Sequence, residues 1–130
     1  MDFTCEIIEQ NKVFAGKYKD HNFLIYIDPF DYYFNNEFSI VFATSYEEIS
    51  NDIFKQLNDK YYNRLKSLLI NSEYVFFDKN FAQFRYSISP YRISNGRIIK
   101  YLDKISEILK IENINTAEFE NLKKSMARQY

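Results

Sequence analysis

The spacing of apolar residues changes near residue 45, and this limits the folds open to the chain more than any other feature. Phe3, Cys5 and Ile7, and again Phe38, Ile40 and Phe42, alternate with their neighbours at the two-residue period of a strand that buries one face. From Tyr46 through Ile49, Ile53, Leu57, Tyr61, Leu65 and Leu68 the spacing becomes three and four, the period of an amphipathic helix. Several strands in succession before the first helix argue against a parallel sheet, because each parallel crossover needs a long connection, usually a helix, between strands.

The turn and cap signals complete the order. Glu9-Gln10-Asn11-Lys12 and Lys19-Asp20-His21-Asn22 read as turns around a strand from Val13 to Tyr18, in which Gly16 marks a bulge. Phe23 to Ile27 is the most apolar strand, stopped by Pro29, which has no N–H for a ladder. Phe38 to Ala43 makes the fourth strand. Thr44 or Ser45, with Glu47 or Glu48 three residues on, offers a capping box, so the long helix is expected over 45–71. Tyr74 to Phe77 and Phe81 to Ile88 read as a hairpin around Asp78-Lys79-Asn80. A second helix from Ser94 or Asn95 to Ile111 carries Ile98, Tyr101, Leu102, Ile105 and Leu109 on one face, and Thr116 caps a short last helix through Phe119, Leu122 and Met126. The chain is therefore expected to be one α+β domain spanning 1–130. Its order is ββββ-α-ββ-α-α, with an antiparallel sheet of five to six strands and helices packed on one face.

Composition narrows the function classes. A chain of 130 residues can bury a core without a disulfide or a metal, and Cys5, the only cysteine, permits no internal disulfide. The longest apolar run, Phe23-Leu24-Ile25-Tyr26-Ile27, is far short of a membrane span, and the N-terminus lacks the basic start and apolar stretch of a signal peptide. These features predict a cytoplasmic protein without a membrane partner. The aromatic fraction of 19% sits in a chain rich in Asn, Ile and Lys and poor in Gly, Ala, Arg and Pro. That skew matches an AT-rich genome, with Phe and Tyr standing in for Leu in the core. The net charge of −1 gives no concentrated basic face, which disfavours a nucleic-acid binder. Residues 1–65 are acidic and 66–130 basic on balance, an asymmetry compatible with a homodimer whose unlike ends meet.

Catalytic constellations do not assemble. Two glycines exclude a glycine-rich phosphate loop, no Cys/His spacing resembles a zinc site, and neither a cofactor nor a metal is expected. His21, the only histidine, lies in a turn beside Asp20 and Asn22, where such residues serve the local backbone. Glu47, Glu48 and Asp52 fall where a helix dipole favours carboxylates. Two segments stand out instead. Asp28 to Glu37 joins two strands and holds Phe30, Asp31, Tyr32, Tyr33 and Phe34, an aromatic and acidic mixture suited to partner binding. Arg85, Arg92 and Arg97, interleaved with Tyr86 and Tyr91, form the alternative, an arginine and tyrosine cluster that would hold an anion or nucleotide.

The strand–helix–strand–helix order, size and acidic pI resemble the class I chaperones of type III secretion, although those begin with a helix that this chain lacks. The profile is also similar to small cytosolic immunity proteins that neutralise bacterial toxins, a functional class spanning unrelated folds. Either resemblance implies a partner-binding role. The sequence thus predicts a small non-enzymatic domain that binds another protein, with the small-molecule or nucleotide binder as the competing class.

Overall fold

The computed structural model describes residues 2–8, 11–28, 38–66, 73–88 and 94–116. Six strands alternate in direction through one antiparallel sheet: β1 (Asp2–Ile8), β2 (Asn11–Tyr18), β3 (His21–Asp28), β4 (Phe38–Ser45), β5 (Glu73–Phe77) and β6 (Phe81–Ile88). Their spatial order is β1-β2-β3-β4-β6-β5. Helix α1 (Asn51–Lys66) connects β4 to β5, and α2 (Asn95–Ile111) follows β6. The expected α+β class and element order are both present, while the proposed last helix falls outside the described residues.

Two local expectations are corrected. Gly16 makes no bulge: the register runs unbroken, with Gly16 between Phe3 of β1 and Phe23 of β3. The long helix begins at Asn51, because Thr44 and Ser45 are spent on the sheet, pairing with Ala82 and Phe81. Thr44 also donates its hydroxyl to the Asn22 carbonyl at 2.8 Å, a further tie to the sheet. Tyr46 still belongs to the sheet end, bridged to Thr116. Ser50 provides the cap instead, its Oγ accepting from the Ile53 N–H at 3.3 Å. The second helix starts as expected, with Ser94 at the N-cap accepting from the Arg97 N–H.

Alternation assigns the sheet's two faces. Phe23, Ile25, Ile40, Phe42, Val75, Phe77, Phe84 and Tyr86 point to one side and join Leu57, Tyr61, Leu102, Ile105, Ile108 and Leu109 of the two helices in the main core. Tyr101 of α2 stacks on Tyr86 with centroids 4.0 Å apart, and Tyr61 of α1 lies 5.7 Å from Phe77. The opposite face buries Val13, Ala15, Leu24, Tyr26, Val41 and Ala43 in a second, smaller cluster to which neither described helix contributes.

Candidate functional site

The strand directions put the β2–β3 turn, the end of β4 and the start of β6 at one end of the sheet, and here polar contacts close the core. Lys19 and Asp20 form a two-residue turn with φ of 46° and 67°, the left-handed backbone that a tight hairpin demands and that glycine adopts most easily. Asp103 of α2 holds this strained turn. It pairs with the Lys19 ammonium at 2.7 Å and accepts the Tyr18 hydroxyl. Those two hydrogen bonds hold the Asp103 carboxyl below its usual range.

After α2 the chain crosses the same end as a strap, residues 112–116. Ile114 fills the core, the Asn22 N–H donates to Thr116 Oγ1 at 2.9 Å, and Asn113 takes a φ of 55°. Glu112 accepts hydrogen bonds from Lys60 and from the Tyr61 hydroxyl, which ties α1 to the end of α2. Burial pushes the Glu112 carboxyl up, and the bonds from Lys60 and Tyr61 together outweigh it, leaving it below its ordinary value. Beside them the Tyr46 hydroxyl lies 2.6 Å and 2.7 Å from the carbonyls of Asp78 and Phe81.

A cleft opens on each side of the strap. One, of about 720 Å³, lies between the β2–β3 turn and the C-terminal half of α2 and includes Lys19, His21, Asp103 and Ser106. The other, of about 680 Å³, is lined by Ile49, Ile53, Leu57 and Ile114 together with Glu47 and Glu48. In the first, His21 Nδ1 and Ser106 Oγ are both out of solvent and without a hydrogen-bond partner. Burial pushes the His21 imidazole below its ordinary value, with the Asp20 charge opposing. The two orphaned atoms are not bonded to each other, so no nucleophile–base pair is assembled. No group of three metal-ligating side chains occurs among the described residues.

The other end of the sheet carries the opposite chemistry. Phe14 and Ile27 are 46% and 50% exposed, on a face whose other buried apolar side chains are at most 8% exposed. Phe14 pairs with Ile25, so Ile27 is its diagonal neighbour on the next strand, and the two share one apolar surface. Residues 29–37 connect β3 to β4 from this end. Ile27 therefore stands immediately before the segment Asp28 to Glu37 singled out in the sequence.

Phe30, Asp31, Tyr32, Tyr33 and Phe34, together with Arg92, lie outside the described residues. Arg85 sits in β6 opposite Val41 and Tyr74, on the face turned away from Phe84 and Tyr86. Arg97 is exposed in the first turn of α2, the helix that packs over Tyr86. The sheet thus stands between these two arginines, and neither lines either cleft.

Sequence reasoning passed over four residues that the structure brings forward. His21 reads as an ordinary turn residue and Ser106 as one polar position in a helix. Phe14 and Ile27 carry the alternation of buried strand positions, and nothing local marks them as uncovered. The only signal was Ile27's place at a strand end, just before Asp28-Pro29. No described helix is long and apolar enough to cross a membrane. No family model, curated protein or solved structure matches the chain.

Proposed function

We propose that this chain is a non-enzymatic domain that binds another protein, and that its contact surface is the open end of the sheet around Phe14 and Ile27, continued by residues 28–37. The observation that carries this reading is the exposure of those two large side chains, side by side, on the face that carries the main core. Contiguous apolar surface left uncovered marks an interaction site, whereas a singly exposed apolar residue does not. Ile111, 60% exposed at the end of α2, is such a single residue. Aromatic anchors beside acidic side chains, as in Phe30, Asp31, Tyr32, Tyr33 and Phe34, fit an interface with an apolar centre and a charged rim. A partner-neutralising or partner-carrying role, of the immunity-protein or secretion-chaperone type, uses a surface of this kind. The anion-binding alternative would need Arg85, Arg92 and Arg97 to converge, and no described cleft gathers them.

Photo-crosslinking in the host cell tests this reading. A photoreactive residue at position 27 should give one discrete protein adduct, and the same residue at position 111 should give none. Equal labelling from both positions, or none from position 27, overturns the proposal.

A further inference from the structure

We propose that the partner docks by adding an extended segment to the outer edge of β1, a segment that alternates apolar residues with lysine or arginine. This rests on the protein-binding reading of the open end and names how that partner is held. The first support is a difference between the two edges of the sheet, β1 and β5. On β5, the Asp78 N–H bonds the Phe81 carbonyl at 2.8 Å, so Phe77, one residue earlier, turns its own N–H and C=O away from β6. Asn58 of α1 meets both groups. Its Oδ1 accepts from the Phe77 N–H and its Nδ2 donates to the Phe77 carbonyl, each at 2.7 Å. A side-chain amide thus occupies the place that a further strand would take on β5.

Among the described residues, β2 is the only element packed along β1. The neighbouring hairpin fixes which groups of β1 face away from it. The two-residue turn Lys19-Asp20 makes Tyr18–His21 a hydrogen-bonded pair, so even-numbered residues of β2 bond to β3 and odd-numbered ones to β1. The partners of those odd-numbered residues are Asp2, Thr4, Glu6 and Ile8. The N–H and C=O groups of Phe3, Cys5 and Ile7 therefore point outward, a row of alternating donors and acceptors. β1 also lacks the devices that keep an edge from pairing. It runs seven residues in unbroken register with β2, makes no bulge, and holds no proline and no lysine.

Position and charge select the occupant. Phe14, half in solvent, pairs with Cys5 at the middle of β1, so an added strand extends the apolar surface that Phe14 and Ile27 begin. The only charged residues of β1 are Asp2 and Glu6. Opposite charges across a strand pair stabilise it and like charges oppose it, which favours a basic segment. A second copy of this chain is the poorer occupant. In antiparallel self-pairing centred on Cys5, Glu6 would face Thr4 of the other copy, with Asp2 and Glu6 of that copy as its diagonal neighbours.

Amide exchange and capture together test this. In the full-length chain alone, the amides of Phe3, Cys5 and Ile7 should exchange with solvent more than about tenfold faster than those of Thr4 and Glu6, which bond to β2. In the host cell, a photoreactive residue at position 27 is placed in chains with Cys5 and with Cys5→Pro, which deletes the middle outward donor and no bond to β2. The substitution should lower adduct yield about tenfold, the loss of one hydrogen bond. In the purified adduct of the Cys5 chain the three outward amides should be protected. The proposal is overturned if those amides are already protected in the monomeric chain, or become so only as the chain dimerises. It is equally overturned if they stay fast in the adduct, a readout that does not depend on how well Cys5→Pro folds. An adduct yield unchanged by Cys5→Pro rules out docking on β1 and leaves the protein-binding reading standing, whereas no adduct from position 27 in either chain removes both.

Discussion

At the end of the sheet where β2 turns into β3, polar contacts tie the termini of β2, β3 and β4: Tyr18 and Lys19 to Asp103, Asn22 to Thr116, Tyr46 to Asp78 and Phe81. Nothing comparable protects the other end of the same face among the described residues, and Phe14 and Ile27 stand half in solvent. Both ends are built by the same strands with the same alternation. The difference comes from where the helices land. Asp103 and the strap carry α2 onto the turn end, and Tyr101 marks its contact with Tyr86 and Phe42 in the middle of the sheet. Phe14 and Ile27 lie beyond that cover. Burial along a strand is thus set by the partner layer rather than by the strand's own pattern.

The contrast breaks most sharply at the centre of the covered region. Phe42 is fully buried among Phe84, Tyr86 and Tyr101, so Phe42→Ala should lower the unfolding free energy by about 3–5 kcal/mol in urea titration. A loss below about 1 kcal/mol would mean that the helices do not cover this face. At the closed end, Tyr46→Phe keeps the ring and deletes the hydroxyl that serves two carbonyls. It should cost about 0.5–1.5 kcal/mol, the net worth of one hydrogen bond, because the Phe81 carbonyl keeps the Asp78 N–H at 2.8 Å. A neutral result would show that water reaches those carbonyls.

Acidity sharpens the comparison, because the titrating groups of interest sit at the closed end. The folded pKa of His21 lies below its unfolded value of about 6.5, so the folded state resists protonation. Its contribution to stability is complete above that value and is lost as the pH falls through the folded pKa. Urea midpoints should therefore drop between pH 7.5 and 5.5, and His21→Gln should flatten the drop. Asp103, lowered by the bonds from Lys19 and Tyr18, acts with the same sign further down: its contribution is present above about pH 3.9 and lost as the pH falls through its folded pKa. An unchanged midpoint from pH 7.5 to 5.5 would contradict the partial burial of His21.

Much of this architecture was legible in the residues. The switch from a two-residue to a three-and-four-residue period separates strands from helices, and the β5–β6 hairpin and the start of α2 follow from Asp78-Lys79-Asn80 and Ser94. The start of α1 was not legible. Thr44 and Ser45 followed by Glu47 and Glu48 satisfy a capping pattern, but sheet pairing claims those residues first. The closed end escaped notice because it joins residues about 85 positions apart, as Tyr18 and Asp103 are, with no local signature at either. The pairing of His21 with Ser106 in one cleft is of the same long-range kind. Exposure at Phe14 and Ile27 was hidden for the converse reason, since a strand position looks the same whether or not a helix lies above it.

The smallest stability effect belongs to the open end, and it yields the most direct test of the protein-binding account. A photoreactive residue at position 27 is placed in chains with Phe14 and with Phe14→Ser, and adduct yield is measured beside the urea unfolding free energy of each. Phe14→Ser is expected to change stability by less than about 1 kcal/mol, because the ring is already half in solvent. The same change should weaken partner capture by more than about 2 kcal/mol, roughly thirtyfold, as expected for an aromatic anchor. An adduct that survives Phe14→Ser undiminished, or a stability loss of about 3 kcal/mol or more, would contradict the protein-binding account.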